Sequence, residues 1–163
     1  MTSAHDIVAE LTSRGLTVAT AESLTGGLVV AELVSVAGAS AVVAGGVVAY
    51  QTEVKRTLLG VDADLLARRG PVDAEVAAQM ASRVRHVLAV DGRDADVGLS
   101  TTGVAGPDPQ GGHAPGTVFV AVAIGDDVTV VPLQLEGDRE AIRRGVVSEL
   151  LSALFDRLAA TRE

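Results

Sequence analysis

The segment LTVATAESLTGGLVVAELV, residues 16–34, changes from a strand pattern to a helix pattern within a few residues. Residues 16–21 form a short apolar run that predicts a buried strand. Residues 28–34 are apolar with a single charge and predict a helix. Between them, ESLTGG supplies the small hydroxyl and glycine residues that let a strand pass directly into a helix. Such a strand–helix unit is the building block of layered α/β domains.

The rest of the chain extends this pattern on both sides. Asp62, Asp73 and Asp138 can each cap a helix N-terminus, and Gly125-Asp126-Asp127 predicts a short hairpin turn. Gly45-Gly46 predicts a bulge or a close backbone approach. The predicted helices are residues 5–13, 28–34, 52–59, 63–69, 74–90 and 139–158, and the predicted strands are residues 16–21, 42–50, 96–102, 116–124 and 128–135.

This order of elements predicts an α/β fold. We expect a single layered α/β/α domain over residues 1–163, because no repeat, linker or domain boundary interrupts it. Long connections suit parallel strand pairs and the last hairpin must be antiparallel, so the sheet should be mixed and mostly parallel. It should have about five strands, a C-terminal antiparallel hairpin and a long final helix.

Composition excludes several classes of function. The 21 acidic and 13 basic residues give a net charge of −8, which argues against a nucleic-acid surface. A small anion such as a phosphate can still bind at a helix N-terminus. The absence of cysteine excludes a thiolate nucleophile, cysteine-ligated zinc and disulfides. No metal motif occurs, and we expect neither a metal nor a cofactor.

The sequence predicts a cytoplasmic protein without a membrane partner. The first residues lack the basic and apolar regions of a signal peptide. The apolar run over residues 37–50 is too short and too rich in glycine to span a bilayer.

Lys55 is the only lysine among 163 residues, and the other twelve basic side chains are arginines. Arginine can supply surface charge, but it does not lose its proton near neutral pH, whereas a desolvated lysine can become a base. A solvated surface lysine is the alternative explanation. The single lysine therefore directs attention to the groups that could surround it.

Three strand ends carry residues suited to chemistry. Glu22–Gly27 follows the first strand and presents Ser23, Tyr50–Lys55 follows the second, and Ser100–Pro107 follows the third. Ligands of open α/β sheets gather beyond the carboxyl ends of the strands. Taken alone, these segments could be a helix cap, a surface helix and a turn. Together they predict a serine–lysine amidase or esterase site, and no GxSxG, P-loop or GxGxxG motif offers a competing site.

These residues also resemble a known family. The segments TAESLTGG, GGVVAYQTEVK, STTGVAGP and GDREAIRR occur in the order and spacing of the CinA C-terminal domain family. The resemblance extends from about His5 to Leu158. Active members of that family are nicotinamide-nucleotide amidohydrolases (PncC-like NMN deamidases), which act in pyridine nucleotide recycling.

The resemblance implies roles for individual residues. Ser23 is the expected nucleophile and Lys55 its base, with Tyr50 and Thr102 in the same catalytic site. For the substrate-binding residues, Arg139 and Arg143 are expected near the substrate phosphate, and backbone amides near the glycines are expected to hold the oxyanion. The implied substrate-binding set is Thr25, Gly26, Gly27, Gly103, Arg139 and Arg143.

The implied reaction is hydrolysis of the carboxamide of nicotinamide mononucleotide to nicotinic acid mononucleotide and ammonia. A homodimer or higher homo-oligomer is expected. Some family members lack the serine or the lysine, so the alternative is a catalytically inactive nucleotide-binding or protein-interaction module of the same fold.

Overall fold

The computed structural model describes residues 2–161. It has the predicted α/β architecture, in which each predicted helix and strand is present with boundaries shifted by a few residues. A short 3₁₀ turn at Ala39–Ala41 was not predicted. In chain order the elements are α1 (Ala4–Arg14), β1 (Val18–Glu22), α2 (Leu28–Val34), β2 (Val43–Val48), α3 (Thr52–Thr57), α4 (Ala63–Arg69), α5 (Ala74–Val87), β3 (Val97–Gly103), β4 (Thr117–Ile124), β5 (Asp127–Gln134) and α6 (Arg139–Ala160).

The five strands form one sheet in the order β2-β1-β3-β4-β5. Strand β1 pairs in parallel with β2 and β3. Strand β4 is antiparallel to both β3 and β5. The sheet is therefore mixed, as predicted, with two parallel and two antiparallel strand pairs, and four of its five strands point in one direction. The carboxyl ends of β1, β2 and β3 meet at one edge, which brings together the three segments that follow them.

Helices cover both faces of the sheet. Helices α1, α2 and α6 pack on one face, where the core consists of large aliphatic side chains such as Ile7, Leu99 and Leu150. Helix α5 packs on the other face, where the sheet offers small residues such as Ala121. A Cβ on Gly98 would lie 1.9 Å from the carbonyl oxygen of Ala81. The backbones of α5 and β3 are therefore in direct contact.

Local signals act as the sequence indicates. Asp62, Asp73 and Asp138 each accept backbone N–H bonds at the start of a helix. The β1–β2 register shifts between Val18, which pairs with Val43, and Ala19, which pairs with Gly45, so a bulge is present at Ala44, directly before the predicted Gly45-Gly46. The predicted close approach is also present, because Gly46 lies against Thr20.

Two elements, β2 and α5, are each three residues shorter than predicted. Strand β2 ends at Val48 because the next two carbonyl groups turn towards Lys55. Helix α5 ends at Val87, because the chain then reverses through an isolated bridge between Val90 and Arg93. Within residues 2–161 no helix combines the length and apolar character needed to cross a membrane.

Candidate active site

A cleft of about 450 Å³ opens beyond the carboxyl ends of β1, β2 and β3. Ser23 and Lys55 lie in it, and the loop after β3 forms one wall. The sequence-predicted residues Tyr50, Thr102, Gly103 and Arg139 also border this cleft. Its remaining lining residues are Leu24, Gln51, Thr52, Pro71, Val72 and residues 104–110.

Ser23 and Lys55 are in direct contact. The Lys55 Nζ lies 2.8 Å from the Ser23 Oγ. Lys55 is the one buried residue of α3 and is 1% exposed, whereas Ser23, directly after β1, is 7% exposed. The strand ends and the short α3 helix thus bring together two side chains that are 32 residues apart in the sequence.

Two backbone carbonyls complete the surroundings of the amine. The Lys55 Nζ donates to the Ala49 oxygen at 2.7 Å and to the Tyr50 oxygen at 3.2 Å. A neutral amine has two N–H groups and one lone pair. The two carbonyls can take both N–H groups, which leaves the lone pair for the hydroxyl of Ser23. The same three partners can accept bonds from the charged ammonium form.

Burial lowers the pKa of Lys55 from 10.5 to about 8. Desolvation disfavours the charged amine, and no carboxylate in residues 2–161 forms an ion pair with Lys55 to restore its charge. A substantial fraction of the amine is therefore neutral near physiological pH, which the sequence-based hypothesis of a base requires.

A buried carboxylate shapes the turn after β1. Glu22 is 1% exposed, and its Oε1 accepts from the Thr25 hydroxyl at 2.6 Å. The same carboxylate accepts from the backbone N–H groups of Gly27, Val29 and Val30 at 2.9–3.2 Å. Glu22 therefore compensates the unpaired N–H groups at the start of α2 from the end of the preceding strand.

This turn differs from the expectation for three substrate-binding residues. Thr25, Gly26 and Gly27 do not border the cleft. The Thr25 hydroxyl and the Gly27 N–H both donate to Glu22, and the Gly26 N–H donates to the backbone carbonyl oxygen of Ser23 at 3.1 Å. Since these donors are already used inside the protein, they are not available to an oxyanion.

Two other residues with backbone amides, Gly103 and Leu24, border the cleft. In β3 the odd-numbered residues bond towards β1, as the Val97 N–H does with Thr17. This alternation directs the Gly103 N–H towards the end of β1, where Ser23 lies. Within the described chain the Leu24 N–H, next to the nucleophile, donates to no protein acceptor.

Arg139 links Tyr50 to the loop that follows β3. The Arg139 Nη2 donates to the Tyr50 hydroxyl at 3.2 Å and its Nη1 to the Gly106 oxygen at 2.7 Å. The Tyr50 side chain is 56% exposed. An exposed guanidinium at the mouth of the cleft is a suitable partner for an anionic group of a ligand.

Thr102 borders the cleft but directs its hydroxyl elsewhere. The hydroxyl donates to the Pro71 carbonyl at 2.6 Å, and the residue is 1% exposed. It thereby ties β3 to the segment between α4 and α5, whose Pro71 and Val72 also line the cleft. A direct catalytic role for Thr102 stays a prediction.

Arg143 does not border the cleft. Its guanidinium donates to the backbone carbonyl oxygens of Leu24 at 2.9 Å and Thr25 at 3.2 Å. It also pairs with the Glu140 carboxylate at 3.0 Å. The two arginines predicted near a phosphate therefore occupy different positions. Arg139 faces the cleft, whereas Arg143 faces the turn that carries Ser23.

Sequence reasoning missed Glu22 and Thr101 as members of the site. The Thr101 Oγ1 accepts the Ser23 N–H at 3.2 Å and lies 2.9 Å from the Thr25 hydroxyl. The signal for Glu22 was an acidic residue at the end of a buried strand directly before a helix. The signal for Thr101 was its place in the pair of threonines that ends the third predicted strand. In the described residues no cluster of three His, Asp or Glu side chains could hold a metal ion.

Sequence comparison matches residues 1–158 to the CinA C-terminal domain. A competence-damage inducible protein of Geobacillus kaustophilus is 47% identical over 151 residues, which cover 92% of this chain and 35% of that protein. One from Bacillus cereus is 47% identical over 141 residues, covering 85% of this chain and 33% of that protein. The chain thus spans about a third of the length of these curated relatives.

Solved structures give the same relationship. A CinA superfamily protein of Klebsiella pneumoniae has a TM-score of 0.90 and 30% identity, covering 96% of both chains. A competence/damage inducible protein of Agrobacterium tumefaciens has a TM-score of 0.86 and 33% identity, covering 94% of this chain and 92% of that one. The motifs, the fold and the family match agree, and the chain belongs to the CinA C-terminal domain family.

Proposed function

We propose that this protein hydrolyses the carboxamide of nicotinamide mononucleotide to nicotinic acid mononucleotide and ammonia. The observation that carries the proposal is the 2.8 Å contact between the Ser23 hydroxyl and a buried lysine amine that has no carboxylate partner within residues 2–161. A serine needs an adjacent base to become a nucleophile at neutral pH. The family resemblance supplies the substrate.

In the first half of the reaction, neutral Lys55 accepts the proton of the Ser23 hydroxyl. The Ser23 Oγ attacks the carboxamide carbon, and the carbonyl oxygen becomes an oxyanion. The backbone N–H groups of Leu24 and Gly103 are the proposed donors to it, since those of Gly26 and Gly27 are engaged. The Lys55 ammonium then gives its proton to the departing nitrogen, so ammonia leaves and an acyl ester on Ser23 remains.

In the second half, water takes the place of ammonia. Neutral Lys55 accepts a proton from a water molecule, and the resulting hydroxide attacks the ester carbon. When the tetrahedral intermediate breaks down, Lys55 returns the proton to the Ser23 oxygen. The carboxylic acid is released and the serine and amine are restored. With a pKa of about 8, about a quarter of Lys55 is neutral at pH 7.5.

The cleft suits a small anionic nucleotide. Its volume of about 450 Å³ lies within the range of small-molecule pockets. In the proposed complex the Arg139 guanidinium, at the mouth of the cleft, binds the phosphate, and the carboxamide lies at Ser23. Tyr50, the single tyrosine, holds the guanidinium through its hydroxyl.

The test is ammonia release from nicotinamide mononucleotide by the purified protein, with the acid product identified by chromatography. Ser23→Ala should abolish turnover and leave substrate binding within a few-fold, because the nucleophile acts in the transition state. Ser35→Ala is the matched control, since Ser35 is exposed and bonds only its own helix. Near-normal turnover by Ser23→Ala would exclude Ser23 as nucleophile.

The second candidate is a nucleotide-binding module without catalysis. The hydrogen bond between the exposed Arg139 and Tyr50 would serve recognition equally well. Absence of turnover at micromolar enzyme, together with calorimetric binding of the mononucleotide, would favour it.

A homo-oligomer and a cytoplasmic location are also part of the proposal. Four of the exposed large apolar side chains lie on α2, on β2 or in the segments after β2 and α3: Val34, Val48, Tyr50 and Leu58. Sedimentation analysis of the purified protein tests the oligomer.

A further inference from the structure

The Arg143 guanidinium reaches across from α6 to the turn that carries the proposed nucleophile. Its Nε donates to the carbonyl of Leu24 and its Nη2 to that of Thr25. These contacts join residues 119 and 118 positions apart in the sequence. The remaining nitrogen, Nη1, pairs with Glu140 on its own helix. All three guanidinium nitrogens therefore have partners within the protein.

We propose that Arg143 is a positioning residue that holds the Ser23–Thr25 turn, and that Arg139 alone reads the substrate phosphate. This inference rests on the proposed function and assigns different work to two arginines that lie one helical turn apart. Arg139 is exposed in the cleft, whereas Arg143 is partly buried outside it.

The turn needs an external hold because its own backbone is permissive. Gly26 and Gly27 have φ angles of 60° and 105°, in the region that glycine populates readily. Inside the protein, Glu22 binds the N–H side of this turn. The Leu24 and Thr25 carbonyls both accept from Arg143, and the Thr25 carbonyl also accepts the Leu28 N–H at 3.1 Å. A planar guanidinium can span two carbonyls with a fixed fork, which a lysine amine cannot do.

The position of Ser23 next to this turn explains why the loss of Arg143 should slow the reaction. Ser23 precedes the two held carbonyls, and its Oγ must stay within hydrogen-bond reach of Lys55. If Arg143 is lost, the turn can shift while the cleft and Arg139 keep their places. Misplacement of a reacting group by about 1 Å can cost 10²-fold in rate. The loss should therefore affect kcat and leave phosphate recognition intact.

The experiment compares Arg143→Gln with Arg144→Gln as its matched control. Arg144 is the neighbouring arginine and pairs with the same Glu140, but it does not contact the turn. Both variants and wild type are assayed on nicotinamide mononucleotide and on the phosphate-free riboside. Arg143→Gln should lower kcat about 10- to 100-fold on both substrates, with KM changed less than about threefold. Arg144→Gln should match wild type.

Arg139→Gln provides the contrasting result. It should raise KM for the mononucleotide by about tenfold or more, and much less for the riboside, because only the mononucleotide offers a phosphate. The pH midpoint of activity should be close to that of wild type in Arg143→Gln, since Lys55 stays buried and keeps its two backbone carbonyl partners. Arg143→Lys, which keeps the charge but can bind only one carbonyl, should give an intermediate kcat.

Two outcomes would overturn the inference. One is a selective rise of KM for the mononucleotide in Arg143→Gln, which would make Arg143 a phosphate reader. The other is an unchanged kcat per folded molecule, with the folded fraction determined by unfolding curves. If Arg143→Gln does not fold, Arg143→Lys is decisive on the same criteria.

A measurement without substrate distinguishes a failure of this inference from a failure of the proposed function. A fluorophosphonate probe reacts with an activated serine, whose oxygen displaces fluoride at phosphorus. Lack of turnover of the mononucleotide by wild type would contradict the proposed function. Labelling of Ser23 at least about tenfold slower in Arg143→Gln than in Arg144→Gln would still support the positioning role, and equal labelling rates would contradict it.

Discussion

Lys55 combines features that rarely occur in one lysine. It is buried, it has no counter-ion among the described residues, and its amine has two carbonyl oxygens and one hydroxyl as partners. A buried ammonium without an ion pair is costly, and the group responds by losing its proton more readily. Arginine could not respond in this way. The position thus has a chemical reason to differ from the other twelve basic residues.

Lys55→Arg tests the base directly. The variant keeps the positive charge but has no side chain that deprotonates near neutral pH, so kcat should fall by about 10² or more. In wild type, kcat/KM should rise with pH as Lys55 loses its proton, with a midpoint near its pKa of about 8. That limb should be missing from the variant. Steady-state rates between pH 6 and about 9.5 measure both effects.

Unfolding curves of the Lys55→Arg variant control for the larger side chain. A folded variant with near-normal kcat and an unchanged pH profile would remove Lys55 from the mechanism. The proposed serine–lysine reaction would fall with it.

Substitutions at Thr102 test whether its hydroxyl acts in catalysis or supports the structure. Thr102→Val removes the donor to the Pro71 carbonyl and leaves that oxygen without its bond. We expect a loss of about 1–3 kcal/mol in the free energy of unfolding, together with a lower rate, because Pro71 lines the cleft. Thr102→Ser, which keeps the hydroxyl, is the control. If Thr102→Val kept its stability and lost only its rate per folded molecule, the hydroxyl would act in the cleft.

At the scale of elements, local patterns were sufficient to predict each helix and strand. Asp62, Asp73 and Asp138 mark helix starts by a mechanism that operates within three residues. The sheet edge that gathers the site also follows from strand order, since parallel strands share their carboxyl ends. The proximity of Ser23 and Lys55 was therefore predictable before the structure.

What the sequence could not predict depends on contacts between distant side chains. Arg143 and the Leu24 carbonyl are 119 residues apart, and Thr102 and Pro71 are 31 apart. Whether an arginine on α6 faces the cleft or the turn is decided by how α6 crosses the sheet. No periodicity encodes that choice. The orientation of the Gly27 amide likewise depends on the buried Glu22 carboxylate.

Two adjacent glycines of β2 test the packing between elements. A Cβ at Gly46 would lie 2.4 Å from the Thr20 Oγ1 and 2.9 Å from the Val30 Cβ, whereas one at Gly45 would lie 3.5 Å from the Leu88 Cδ1. Gly46→Ala should therefore destabilise the protein by about 1–3 kcal/mol through overpacking. Gly45→Ala should change stability by less than about 1 kcal/mol.

Urea unfolding of both variants makes this comparison, and each variant serves as the other's control for the strand propensity of alanine. Equal effects at the two positions would show that α2 can move away from the sheet without a cost.

At the scale of the whole molecule, the composition of the chain lets the pH dependence of its stability report on one side chain, Lys55. The chain has one lysine, one tyrosine and no cysteine. Between pH 8 and 10.5 few kinds of side chain gain or lose a proton. Lys55 is the one such group that a variant at position 55 would lack. The dependence of unfolding on pH in this range therefore reports on the burial of a single amine.

The direction of the effect follows from linkage. The pKa of Lys55 is about 8 in the folded protein and about 10.5 in the unfolded chain. Between these values the unfolded chain binds more protons, so the free energy of unfolding increases with pH. The cost of the buried charge is fully present below pH 8 and disappears as the pH approaches 10.5. The pKa difference corresponds to a gain of up to about 3 kcal/mol.

Lys55→Met isolates this contribution. Methionine is similar in length and does not titrate, so the variant should lack the rise between pH 8 and 10.5, whatever its stability at neutral pH. Urea unfolding at intervals across that range measures both proteins, which differ only at position 55. Parallel pH profiles would mean that Lys55 has the same proton affinity in the folded and unfolded chains. In that case its amine would be charged in the cleft at neutral pH, and a different group would have to activate Ser23.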